Sequence, residues 1–74
     1  MARIRLTVLV REAWLDRYPL VVERCRRAGL TVERELVAVG VIAGSIEEDL
    51  VAALMGVEGV SAVEPERVNR ALDE

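Results

Sequence analysis

RIRLTVLV, residues 3–10, alternates strictly between two faces with a period of two residues. One face is apolar and the other is mixed: the first holds Ile4, Leu6, Val8 and Val10, and the second holds Arg3, Arg5, Thr7 and Leu9. Because successive side chains of a β-strand point to opposite sides, this pattern predicts a half-buried strand. Its apolar face needs cover from elements further along the chain.

An amphipathic helix is predicted after this strand. Apolar residues recur at spacings of three and four, and the stripe consists of Trp14, Tyr18, Val21, Val22, Cys25 and Ala28. Pro19 fits only the first turn, where its missing N–H costs nothing, so Asp16 is the expected N-cap. Gly29 is expected to end the helix. Cys25 lies on the apolar stripe and is predicted to be a buried thiol rather than a reactive one.

Two strands are predicted next, joined by a turn at Gly40. The second strand is expected over residues 30–39, with one face formed by Leu36 and Ala38 and the other by Glu35, Val37 and Val39. The third strand is expected over residues 41–46 and is apolar on both faces. Gly44 on this strand is expected to let a helix approach closely.

A second helix and a fourth strand complete the pattern. Either a capping box of Ser45 with Glu48, or Glu47 alone, is expected to open the helix. Its apolar stripe consists of Leu50, Val51, Leu54 and Met55. Two glycines close the helix, and the last strand is predicted over residues 60–63.

The order strand, helix, strand, strand, helix, strand predicts an α+β fold of the ferredoxin-like βαββαβ type. Four antiparallel strands would then carry both helices on one face. The predicted core consists of Leu6, Val8, Leu36, Ile42, Val60, Tyr18, Val21, Val22, Leu50 and Leu54. Residues 1–64 are predicted to form this domain, and residues 65–74 an extended C-terminal arm, because no periodicity follows Pro65.

The second face of the predicted sheet has no element left to cover it. The predicted binding surface on this face consists of Leu9, Val37, Val39, Val41 and Ala43. Scattered apolar residues are normal on a protein surface, but a contiguous patch on so small a domain indicates a partner surface. Both interpretations stay open at this point.

Composition excludes several classes of function. The net charge of −3 and an aromatic content of 3% argue against nucleic-acid binding, and no apolar run approaches the ~20 residues of a membrane span. The chain has no His and no Lys, so the usual general base, imidazole metal ligands and Schiff-base chemistry are missing. We therefore predict neither an enzyme nor a cofactor or metal site. The lone Cys25 favours a reducing, cytoplasmic compartment.

The run RELVAVGVIAGSIEEDLVAALMGVEGVSAVEPERVNRAL, residues 34–72, resembles the I9 family of subtilisin propeptides and related free-standing inhibitors. The shared pattern is an apolar strand, an Ala/Gly/Ser strand, a short Leu-rich helix and V-x-x-V-E followed by a second acidic residue. The resemblance covers about half of the chain. It implies a ferredoxin-like fold and a subtilisin-like serine protease as partner.

The resemblance also implies roles for residues near the C-terminus. The bare sheet face would pack on two surface helices of the protease, and Glu64 and Glu66 would lie at the N-termini of those helices. The arm would lie in the protease cleft as an extended strand made by Asn69, Arg70, Ala71 and Leu72, with Leu72 next to the catalytic serine. A shift by one residue would use Val68 as the anchor instead.

Two functions are therefore expected from the sequence. The first is a stand-alone propeptide-like inhibitor or folding helper of a subtilisin-type protease, since no protease domain follows in the sequence. The alternative is a small ferredoxin-like protein-interaction or regulatory module that associates through its sheet, as a homodimer or with another protein, and has no protease role.

Overall fold

The computed structural model describes residues 2–66. Its strands and helices, in chain order, are β1 (Arg3–Val10), α1 (Tyr18–Arg27), β2 (Thr31–Leu36), β3 (Val41–Glu47), α2 (Val51–Met55) and β4 (Val60–Pro65). Short 3-10 segments precede both helices and join β2 to β3, at Glu12–Arg17, Glu48–Leu50 and Val37–Val39. Most of the predicted C-terminal arm, residues 67–74, lies outside the described residues.

The four strands form one open sheet in the order β2-β3-β1-β4, and every neighbouring pair is antiparallel. The predicted α+β class, with a four-stranded antiparallel sheet and two helices, is confirmed. The alternating strand β1 lies in the middle of the sheet, where it pairs with β3 and β4. Each central strand therefore has one face available for a core and one face left over.

One hydrophobic core joins the sheet to both helices. Its buried residues are Leu6, Val8, Val10, Tyr18, Val21, Val22, Cys25, Leu30, Ile42, Ile46, Leu54 and Val60. Tyr18 is almost fully buried, and its hydroxyl donates a hydrogen bond to the carbonyl oxygen of Val41 at 2.6 Å, so its polar end is satisfied. Eight of the ten predicted core residues are confirmed, while Leu36 and Leu50 are wrong, because each stays about two-fifths exposed.

The predicted second strand was too long at its C-terminal end. Leu36 pairs with Val41, so the chain must reverse within residues 37–40. Residues Val37–Val39 make this reversal as a 3-10 turn, and Gly40 ends it with a left-handed backbone, φ 68°. This conformation is easy for glycine and strained for a branched residue. Val37 and Val39 are therefore turn residues and not strand residues.

A β-bulge at Glu33 explains the misplacement of Leu36. Val32 pairs with Gly44, but Arg34 rather than Glu33 pairs with Ala43 on the next rung. One extra residue in a strand moves every later side chain to the opposite face. Arg34 and Leu36 consequently share the face of Ala43, and Leu36 points away from the core.

Neither of the two predicted helix caps makes a side-chain capping hydrogen bond. Asp16 lies inside the first 3-10 segment, and α1 begins at Tyr18 after Arg17, without a side-chain cap. Ser45 and Glu47 belong to β3, which pairs with β1 as far as the rung of Arg3 with Glu47. Strand pairing keeps Ser45 extended within β3. Glu47 is extended at the end of β3 and stands at the N-cap position of the 3-10 segment Glu48–Leu50, but its side chain makes no capping hydrogen bond.

Gly44 has a different role from the predicted one. A Cβ atom at this position would collide with the backbone carbonyl oxygen of Thr31 and would lie 3.3 Å from Cδ1 of Leu30. The glycine therefore gives room to the start of β2 and not to a helix. Neither helix reaches membrane-spanning length: within residues 2–66, α1 has 10 residues and α2 has 5.

Strand β4 extends past its predicted end. It runs to Pro65, which pairs with Leu6, and the backbone N–H of Glu66 then donates to the carbonyl oxygen of Arg5 at 2.8 Å. Proline is tolerated here because β4 is an edge strand. The sheet thus includes the first residue of the predicted arm.

Cys25 is fully buried in the core, as predicted. Burial raises the pKa of its thiol from 9.0 to about 11, because the thiolate would lose its hydration. Burial is also the main cause of the raised pKa of Tyr18, and the negative charge of nearby Glu35 raises this pKa further. Both groups are neutral near pH 7 and are held in the neutral form by the folded chain.

These shifts predict a loss of stability at alkaline pH. Below pH 9 the folded and unfolded chains both keep the thiol proton, so its contribution is fully present; from pH 9 to about 11 only the unfolded chain ionises. The melting temperature should therefore fall over this interval. Cys25→Ala should have a lower melting temperature than the parent chain at pH 7, but its melting temperature should fall less between pH 7 and pH 11. The fall that remains in this variant would be due to Tyr18. Parallel melting curves for both proteins would contradict this assignment.

Candidate functional site

The sheet face opposite the helices is uncovered, and we call it the open face. Its side chains follow from the strand registers, because each core residue alternates with an outward one. They are Arg3, Arg5, Thr7, Leu9, Thr31, Glu33, Arg34, Leu36, Val41, Ala43, Ser45, Glu47, Ala62, Glu64 and Glu66. This surface is the candidate functional site because it combines apolar area with charges of both signs.

Twelve of these side chains form three rows that run across the strands from β4 to β2, while Arg3 and Glu47 lie beyond the third row and Glu33 lies at the bulge. The apolar row consists of Ala62, Leu9, Val41 and Leu36. The middle row consists of Glu64, Thr7, Ala43 and Arg34. The polar row consists of Glu66, Arg5, Ser45 and Thr31. The face is thus apolar at one end of the strands and charged at the other.

The charges of the polar row, and the charge of Arg3 beyond it, are paired within the protein. Arg5 contacts Glu33 at 2.9 Å and Glu66 at 3.0 Å, so one guanidinium links β1 to residues on both sides of it. Arg3 donates to Oγ1 of Thr31 at 2.8 Å and to Oγ of Ser45 at 3.2 Å. Exposed pairs of this kind stabilise a protein only a little, but they leave few free charges at this end.

The middle row differs, because its two charges stand alone. Glu64 lies on one edge strand and Arg34 on the other, about 14 Å apart across three strand spacings. Among residues 2–66, neither of them forms an ion pair. The small residues Thr7 and Ala43 lie between them and form part of the floor of an open depression of about 380 Å³.

The sequence predicted part of this surface. Leu9, Val41 and Ala43 lie on the open face, and Glu64 and Glu66 extend from the end of β4 on the same side. Val37 and Val39 do not belong to the sheet face: they lie in the turn after β2, where they are 56% and 68% exposed. That part of the predicted sheet surface is corrected.

Three residues of the apolar and middle rows were missed by the sequence prediction. Arg34 and Leu36 were missed because nothing in the sequence marks the bulge that turns them outward. Ala62 was missed because simple alternation from the buried Val60 would put it on the core face, whereas a register shift between the rungs of Leu9 and Val10 turns it outward. The predicted cleft-binding residues lie outside the part of the chain that the structure describes, and they are Val68, Asn69, Arg70, Ala71 and Leu72.

The remaining chemistry of the described chain is limited. Over residues 2–66, no three His, Cys, Asp or Glu side chains are grouped so that they could hold a metal ion. The buried Cys25 thiol has a raised pKa, which disfavours the reactive thiolate.

No family model, curated protein or solved structure matches this chain. A proposal for the function therefore rests on the open face and on the sequence pattern of residues 34–72.

Proposed function

We propose that the protein binds a subtilisin-type serine protease through its open face and acts as a stand-alone propeptide-like inhibitor or folding helper. The resemblance of residues 34–72 to subtilisin propeptides motivates this proposal. The proposal also classifies the fold as ferredoxin-like. The strand order β2-β3-β1-β4, which reads 4-1-3-2 from the other edge, supports this classification, as does the alternation of strands and helices along the chain.

The observation that carries the proposal is the position of Glu64. Its carboxylate extends from the last strand beside the apolar row, and it forms no ion pair within residues 2–66. A carboxylate is favourable at the N-terminus of a helix, because the helix dipole and free N–H groups attract negative charge. A partner that presents helix N-termini could therefore use Glu64 while its apolar side chains cover Leu9 and Val41.

Glu66 is a weaker candidate for such a contact. Its carboxylate already accepts a hydrogen bond from Nε of Arg5 at 3.0 Å. Docking on a helix N-terminus would have to share or break this pair. We therefore expect Glu64 to contribute more to protease binding than Glu66 does.

The chain after β4 would supply the second part of the interaction. In the proposed complex, residues 69–72 lie in the protease cleft as an added strand. Ordering a free segment costs about 1–2 kcal/mol of backbone entropy per residue, so this segment alone would bind weakly. The docked open face offsets that cost by holding the segment at a high effective concentration.

Inhibition of a subtilisin should depend on both parts. Removing residues 67–74 should leave the melting temperature nearly unchanged and weaken inhibition by roughly a hundredfold or more, because the linked contacts no longer act together. Glu64→Gln should weaken inhibition by about 2- to 30-fold, the range of a carboxylate at a helix N-terminus. Hydrolysis of a small chromogenic peptide measures both effects.

Two further variants sharpen the protease assay. Glu23→Gln is a matched control, because Glu23 lies on α1, away from the open face. Asn69→Tyr should strengthen inhibition, since the resemblance implies an apolar anchor at this position. If the full chain and Asn69→Tyr both leave subtilisin active at high micromolar concentration, the inhibitor proposal is wrong.

A second candidate function is an interaction or regulatory module that associates through the open face without a protease. Glu64 and Arg34 favour it, because they lie on opposite edges of the same row and neither forms an ion pair within residues 2–66. A surface that carries two opposite charges too far apart to pair with each other can pair both of them with the charges of a second copy. Self-association without any effect on subtilisin would support this candidate over the first.

A further inference from the structure

We propose that two copies of this chain pack open face to open face, with Glu64 of each protomer against Arg34 of the other. The two-fold axis of this dimer lies between the sheets and runs roughly along the strands. The dimer does not depend on protease binding. Because it uses the same face, it would exclude a protease from that face.

The direction of the axis follows from the three rows. Rotation about an axis along the strands brings β4 of one protomer over β2 of the other, and β1 over β3. Each row then faces its own counterpart: in the apolar row, Leu9 meets Val41 and Ala62 meets Leu36. Rotation about an axis across the strands would instead bury Arg5 and Glu66 of the polar row against the apolar row, which is costly because even paired charges lose their hydration there.

The middle row makes this arrangement specific. Glu64 and Arg34 occupy its two ends, so the rotation places each of them opposite the other in the second protomer. Two identical ion pairs result, as isologous contacts require. Between them Thr7 faces Ala43, and these small side chains allow the sheets to approach to about 10 Å, the usual distance of packed sheets.

The edges of the sheet are protected against pairing with a second copy. Strand β2 carries Glu33, Arg34 and Glu35 in succession and is interrupted by the bulge. Strand β4 ends in Glu64 and Pro65, and proline has no N–H for a ladder. Charges, bulges and prolines are the usual means by which edge strands avoid association, so the face is the better surface for a copy.

The size of the open face sets the expected affinity. Four strands and three rows cover roughly 400 Å² per protomer, given strand spacings of about 4.8 Å and two-residue repeats of about 6.8 Å. A standard stable interface buries about 800 Å² per partner. We therefore expect a reversible dimer with a dissociation constant in the range of roughly 10–100 µM, which corresponds to a weak association.

Exchange of the two charges tests the proposed register. Arg34→Glu alone and Glu64→Arg alone should each weaken the dimer by about tenfold or more, since each places like charges opposite one another twice. The double variant should regain the dissociation constant of the parent chain. An equimolar mixture of the two single variants should form a heterodimer of similar affinity, because both ion pairs reappear between unlike chains.

Sedimentation equilibrium of the full chain between about 1 µM and 1 mM measures these constants, a range that brackets the weak association expected from the interface size. Matched controls are Glu23→Arg and Arg27→Glu on α1, which change the same charges away from the open face and should leave the dimer unaffected. Thermal melting of each variant verifies that it is folded. The proposal is wrong if the parent chain stays monomeric over the whole concentration range. It is also wrong if the single charge reversals leave the dissociation constant unchanged, or if the double variant does not regain the dissociation constant of the parent chain.

The same variants separate this dimer from the protease proposal. The charge exchange should restore the dimer but not inhibition, because Glu64→Arg still removes the carboxylate that would meet a protease helix. A monomeric chain that inhibits subtilisin contradicts the dimer alone. A dimer whose dissociated protomers do not inhibit contradicts the protease proposal alone.

Discussion

Replacing Gly44 by valine should unfold most of the protein at room temperature. A side chain at this position meets the backbone carbonyl of Thr31, which is held by the pairing of β2 with β3. The carbonyl cannot withdraw without disrupting that pairing, so we expect a loss of about 3 kcal/mol or more in the free energy of unfolding. A domain of this size has roughly 3–5 kcal/mol in total.

The neighbouring position gives a matched control for this prediction. Ala43→Val adds a similar side chain to the same strand, but on the open face, where an isolated change is expected to stay within about 0.5 kcal/mol. Gly44→Ala should be intermediate, since it adds only the first colliding atom. Urea unfolding followed by far-UV circular dichroism measures all three. Equal midpoints for the Gly44 and Ala43 variants would show that β2 does not approach β3 in this way.

Leu54→Ala should cost about 2–5 kcal/mol of unfolding free energy, because it leaves a cavity in a small core. Leu54 is the one fully buried residue of the short helix α2, which has 5 residues. The loss should therefore release α2 from the sheet as well as opening a cavity. Leu6→Ala, on the other side of the core, should cost a similar amount.

Met55→Ala is the matched control for Leu54→Ala. Met55 is the next residue on the same helix and is 65% exposed, so its truncation should change stability by less than about 0.5 kcal/mol. Urea unfolding curves compare the two variants directly. A Leu54→Ala protein as stable as Met55→Ala would mean that α2 is not docked on the sheet as described.

The sequence predicts the fold wherever one periodic pattern dominates. The alternation of residues 3–10 identifies β1, and the spacing of Tyr18, Val21 and Cys25 identifies α1, because burial on one side requires these patterns. Prediction fails where two local structures compete for the same residues. Ser45 and Glu47 have helix-capping side chains, but pairing with β1 keeps them in β3.

The candidate site was harder to predict than the core. Its outer residues on β1 follow from the core residues by alternation, which is why Leu9 was predicted correctly. On β2 the alternation is broken by Glu33, and the two residues after it are charged as well, so composition does not indicate which residue is the extra one. The separation of Glu64 from Arg34 depends on the order of the strands, which no local pattern contains.

The bulge at Glu33 also has an evolutionary consequence. Arg34 and Leu36 pair with Ala43 and Val41, and this register does not need the extra residue. A deletion of Glu33 would therefore turn β2 into a regular strand and keep Arg34 and Leu36 on the open face. The bulge thus marks a position where a lineage could lose one residue without exchanging the outward and inward side chains of β2.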